Sequence, residues 1–156
     1  MSRGVLEETL VTAGAAFTTR AGVRVAAHFG SVAAEIAVCR HGVGLSDRSD
    51  DGTLELRGAP EAVAAVVERV TGERLVPGRA TPSCGAWWCP VTGHRVLVVA
   101  ERAAAADLRV VLAAAAQPVP GASVIDLTDD YAAIAIVGPR APRLVADAGL
   151  LPAGSR

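Results

Sequence analysis

This sequence predicts an α+β fold: a sheet with helices packed on one face, built from repeated strand–helix units. Three observations carry the prediction. Residues 53–57 alternate, with Leu54 and Leu56 on one side and Glu55 and Arg57 on the other, as in a half-buried strand; residues 96–99 form a continuous apolar run, as in a strand buried on both faces. Between such strands, apolar residues recur at helical spacing. Finally, Asp47-x-Ser49-Asp50-Asp51 returns as Asp126-x-Thr128-Asp129-Asp130. Each copy leads into a strand (Leu54-x-Leu56, Ile134-x-Ile136), then a glycine (Gly58, Gly138), a proline and a helix. The repeat implies pseudo-symmetry, and a chain of 156 residues is expected to form a single domain, residues 1–156, around one core.

In chain order, residues 17–20 and 23–25 read as short strands around an Ala21-Gly22 turn. Ser31 is a helix N-cap, because its hydroxyl can accept from an amide one turn on. Glu35 in the first turn and Arg40 and His41 in the last suit the helix dipole, and Gly42 supplies a left-handed stop. Val32, Ile36, Cys39 and Val43 mark the buried face of that helix. Residues 47–52 are a polar turn. Pro60 suits the first position of a second helix, which buries Val63, Val66, Val67 and Val70 and ends before Gly72. Residues 77–93 are irregular, broken by Pro77, Pro82 and Pro90, with Trp87-Trp88 in a short strand. An alanine-rich helix over 101–116 buries Leu108, Val111, Leu112 and Ala115, and Pro118 and Pro120 end it. Residues 123–127 and 132–137 are strands, and Gly138-Pro139 opens a last helix through Leu144, Val145 and Ala148.

Composition narrows the function. Fifteen basic residues against sixteen acidic ones give a net charge of −1, with no Lys/Arg cluster, so no nucleic-acid partner is expected. The longest apolar candidate for a membrane span, residues 110–125, is broken by Gln117, Pro118 and Pro120. Glu7 and Glu8 stand where a signal peptide would be apolar, and the three cysteines, Cys39, Cys84 and Cys89, have no framework spacing. Free thiols and a cytoplasmic location are the expectation.

Two metal motifs are weak. Asp47, Ser49, Asp51 and Gly52 match the start of a calcium loop, but Gly58 occupies the position that needs a bidentate carboxylate. Cys84, Cys89 and His94 offer zinc-type ligands at a spacing unlike a ribbon or finger. The plainer readings are a turn whose side chains bond its own backbone, two structural thiols and an exposed histidine. No metal is assigned. No serine sits in a nucleophile elbow, and no glycine-rich loop follows a strand in the phosphate-binding pattern. Trp87-Trp88 reads first as a packing pair and second as a surface on which a planar ring could stack.

Gly30-Ser31-Val32, Glu35, Arg40, Val43-Gly44-Leu45, Asp47 and Ser49 resemble the N-terminal signature of the folate-binding aminomethyltransferase (glycine cleavage T-protein) superfamily. Gly58 and Ala62 fit its next strand–helix step, Pro77-Gly78-Arg79-Ala80 resembles its Pro-Gly-Gln-Ala segment, and residues 126–139 resemble a later motif. The resemblance covers most of residues 28–148 and is closest in character to a short member like the sarcosine oxidase gamma subunit. It implies a truncated folate-binding-like domain and tetrahydrofolate as cofactor. On this reading Trp87, Trp88, Asp47 and Ser49 are the candidate cofactor-binding residues. The family's catalytic aspartate follows the Pro-Gly-Gln segment, yet residues 81–94 contain no acidic residue, so no catalytic residue is assigned. The resemblance therefore implies a non-catalytic or folate-binding subunit in methylamine or aminomethyl one-carbon metabolism, joined to a protein partner or to copies of itself. Two alternatives stay open: an active tetrahydrofolate-dependent transferase completed by a partner chain, and a stand-alone small-ligand module.

Overall fold

A computed structural model describes residues 6–150. In chain order the elements are α1 (Glu7–Thr12), β1 (Ala16–Arg20), β2 (Val23–His28), α2 (Val32–His41), β3 (Gly44–Asp47), β4 (Asp51–Arg57) and α3 (Pro60–Thr71). There follow β5 (Thr81–Ser83), β6 (Ala86–Thr92), β7 (Arg95–Glu101), α4 (Arg102–Ala116), β8 (Ser123–Asp126), β9 (Ile134–Val137) and α5 (Ala141–Asp147). The fold is α+β, as the sequence predicts. It divides into two compact units, one formed by residues 51–131 and the other by the segments on either side.

The unit of residues 51–131 holds the larger sheet. Its five strands run antiparallel in the order β5-β6-β7-β4-β8. Leu54 lies opposite Val98 and Val98 opposite Trp88, so one face of the sheet presents a row of large apolar side chains. Val63, Val66 and Val67 of α3 and Leu108 and Leu112 of α4 close over that row and make the core. α3 keeps its predicted bounds: Pro60 at its start forfeits no intrahelical bond, and Gly72 ends it at φ 72°. Gly52 lets β4 approach α4, because a Cβ there would collide with the Cβ of Ala105. β7 departs from the expected double burial. Val96, Val98 and Ala100 face the core, whereas Leu97 and Val99, on the other face, are only half-buried. On α4, Val111 is exposed rather than buried, since Ala105, Leu108, Leu112 and Ala115 set the inward stripe and Val111 falls on its flank.

The other unit contains two two-stranded sheets. β1 and β2 form the predicted hairpin, with Ala21 and Gly22 both at positive φ (47° and 78°), as a tight turn between twisted strands requires. β3 pairs antiparallel with β9, Gly44 opposite Val137 and Asp47 opposite Ile134. The strand at β3 and the short helix α1 are additions that the sequence pattern did not reveal. α2 has its Ser31 cap, with the hydroxyl accepting from Ala34 N at 3.4 Å. Its end differs from expectation, because Gly42 has φ −134° and is not left-handed. Its buried face also fails: Val32 is 52% and Ile36 49% exposed. Ala33, Ala34, Ala37 and Val38 spread apolar residues around the whole helix, so the spacing of Val32 and Ile36 does not single out an inward side.

The internal repeat survives as turn chemistry. Asp47 Oδ1 accepts from Ser49 N at 3.0 Å, and Asp126 Oδ1 accepts from Thr128 N at 3.1 Å. Hydrogen bonding to Thr128 holds the Asp126 carboxyl below the usual range despite partial burial. The strands that follow part company: β4 enters the five-stranded sheet and β9 pairs with β3.

Candidate functional site

Asp47 closes β3 and is 8% exposed. Its Oδ1 accepts from both the amide and the hydroxyl of Ser49, at 3.0 and 2.6 Å, and its Oδ2 accepts from Ala26 N of β2 at 3.0 Å. The Asp47 carbonyl accepts from the Arg20 guanidinium at 3.1 Å, and Arg20 also lies 3.4 Å from Asp50. These bonds tie the end of β3 to the β1–β2 hairpin. They bring two of the sequence-predicted residues, Asp47 and Ser49, into direct contact.

Beside Asp47 lies a cleft of about 570 Å³ between α1, α2 and β3. Leu10, Phe29, Val38, Leu45 and Ile134 make its walls apolar, and Ser31, Glu35 and Asp47 supply the polar groups. Glu35 Oε1 accepts from Phe29 N at 2.7 Å, which fixes the entrance to α2. A mostly apolar concavity with a few fixed polar groups suits a small molecule held by its hydrophobic body and oriented by one polar edge. Among the described residues no three His, Cys, Asp or Glu side chains gather in a way that could hold a metal ion.

The two tryptophans lie in the other unit, on opposite faces of β6, because neighbours in a strand alternate. Trp88 is 0% exposed and donates its indole N–H to the Ser83 carbonyl at 3.0 Å, so its ring belongs to the core. Trp87 is 54% exposed, opposite Val99 and Pro82, and keeps a ring face available. Cys89 follows on the Trp87 side; burial pushes its thiol up, so it stays protonated at neutral pH.

The burial of Glu55 is what the sequence reading missed. Alternation puts it on the face opposite the core, and there it is fully buried rather than exposed. Both Arg57 and Arg95 grip it through their Nε and one terminal nitrogen; Arg95 Nε lies at 2.5 Å and Arg57 Nη2 at 3.0 Å. Arg57 and Arg95 are cross-strand partners, so two guanidiniums share one carboxylate. Burial raises the Glu55 pKa, but the hydrogen bonds and charges of the two arginines outweigh it and hold the carboxyl below its usual range. A carboxyl whose pKa is lowered by folding contributes stability above its unfolded value of about 4.3 and loses it as pH falls through the folded value. Glu55→Gln is therefore expected to lower the urea midpoint at pH 7, with the gap to the parent protein closing toward pH 3. A constant gap between those pH values would contradict the ion-pair account.

No protein-family model and no curated protein matches the chain. Solved structures do. Glycine cleavage system aminomethyltransferase T from Bartonella henselae superposes with a TM-score of 0.80 over 99% of this chain, at 24% identity. Heterotetrameric sarcosine oxidase from Corynebacterium sp. U-96, in complex with pyrrole 2-carboxylate, matches 74% of this chain with a TM-score of 0.56 and 23% identity. The chain spans 45% of the aminomethyltransferase chain and 61% of the sarcosine oxidase chain. It therefore has the fold of the corresponding part of those proteins; identity at this level speaks for fold alone.

Proposed function

We propose that the chain is a folate-binding member of the aminomethyltransferase superfamily that acts as a subunit in methylamine or aminomethyl one-carbon metabolism, without completing the transfer by itself. The observation that carries this reading is the agreement between two independent signals. The superfamily-like residues Ser31, Glu35, Gly44-Leu45 and Asp47 all line one apolar cleft, in a chain whose fold follows the aminomethyltransferase over 99% of its length. The ligand is tetrahydrofolate, its fused ring against Phe29, Val38 and Leu45. The Glu35 carboxylate offers acceptors to the N–H groups along the ring's edge, while Asp47, bonded to Ala26 N and Ser49, holds the wall in place. Trp87 is a second, separate stacking surface. Residues 81–94 carry no carboxylate, which favours a binding role over a proton-transfer role for this chain.

Calorimetric titration of the chain with tetrahydrofolate, in anaerobic buffer, tests the binding half. Saturable binding that falls at least ten-fold in Leu45→Glu, a substitution at an exposed cleft-wall residue, is expected. Absence of heat, or binding indifferent to Leu45→Glu, rejects the cleft as the folate site. Affinity purification at native expression level tests the subunit half: the chain is expected in a complex larger than itself, and a solitary monomer rejects that role.

A further inference from the structure

We propose that the end of the five-stranded sheet carries an oxyanion-binding site, built on Arg57 and Arg95 and independent of the folate reading. The charge count is the first argument. Glu55 is the one ion-pair partner of either arginine among the described residues, so two positive charges face one negative and a full positive charge is left over. Geometry is the second. Glu55 takes Nε and Nη2 of each guanidinium, leaving Nη1 of each outside that carboxylate's grip. Anchoring through the inner edge of the fork pre-orients both side chains, which removes much of the rotamer entropy a ligand would otherwise have to offset.

The surroundings are those of an anion site. Arg57, Arg95, Thr92, His94 and Tyr131 line one open concavity of about 530 Å³, with Gly58 on its wall. His94 Nδ1 lies 3.2 Å from the Gly58 carbonyl, which can only accept, so Nδ1–H donates there and fixes the ring as part of the concavity's wall. Thr92 and Tyr131 add hydroxyls, that of Tyr131 within reach of Arg95. Among the described residues no carboxylate other than Glu55 touches either arginine. Paired guanidiniums with neighbouring hydroxyls match the oxygens of a carboxylate or a phosphate on a small molecule.

The test is an NMR titration of the isotope-labelled chain with glutarate and, separately, with inorganic phosphate, at constant ionic strength. Saturable shifts of the Arg57 and Arg95 Nε–H signals are expected with at least one anion, and which one identifies the ligand class. Affinity should fall at least ten-fold in Arg57→Gln, where Glu55 keeps Arg95. It should change less than two-fold in Arg109→Gln, which removes an exposed charge elsewhere on the same unit. No saturable shift with either anion overturns the proposal, as does an equal loss in Arg109→Gln, which would mean attraction to net charge alone.

Discussion

Trp88→Ala is expected to destabilise the unit of residues 51–131 by about 3–5 kcal/mol, the range for removing a large aromatic from a packed core. Trp88 has no solvent exposure and sits in the row formed with Val98 and Leu54, beneath α3 and α4. The substitution removes an entire ring and also leaves the Ser83 carbonyl without its indole donor. Trp87→Ala, one residue away, should move stability by no more than about 1 kcal/mol, because its ring is half in solvent already. Urea unfolding followed by far-ultraviolet circular dichroism measures both, since that signal does not depend on the residues being removed. Similar losses for the two variants would mean that the face of β6 bearing Trp87 is as closely packed as the core.

That pair shows what the sequence could and could not disclose. Two adjacent tryptophans invite a joint role, yet the short strand expected there separates them by alternation; what the sequence did not show was that Trp88 is the one facing the core and Trp87 the one left half in solvent. α3 was legible because every local signal agreed: proline at its start, valines at helical spacing, glycine at its end. α2 was legible as a helix and illegible as to its face, since alanines and valines surround it. β3 and β9 are only four residues each, and their pairing joins positions from opposite ends of the chain, which no local period records. Glu55 misled for a different reason. A glutamate at an alternating position normally faces water, and its burial depends on Arg95 arriving from another strand. In the candidate site, Asp47 and Ser49 were readable as a turn, while the cleft beside them needs α1, which the sequence did not announce.

The role of Asp47 separates scaffold from ligand contact, and Asp47→Ala is expected to cost about 2–4 kcal/mol in the unit it belongs to, from two or three lost acceptor contacts at a buried carboxylate. The amides of Ala26 and Ser49 lose their acceptor, and the hydroxyl of Ser49 loses its own. Asp47→Asn keeps one acceptor oxygen but turns an NH₂ toward one of those amides, so it should recover only part of the loss. Hydrogen exchange at Ala26 and Ser49 reads the damage locally: protection should fall at both in Asp47→Ala and at one in Asp47→Asn. If Asp47 acts as a scaffold, tetrahydrofolate affinity and local protection decline together across the two variants. If its carboxylate instead contacts the ligand directly, Asp47→Asn loses affinity out of proportion to its exchange protection. The bonding pattern favours the first outcome, because both oxygens of Asp47 are already engaged by the protein's own backbone and Ser49.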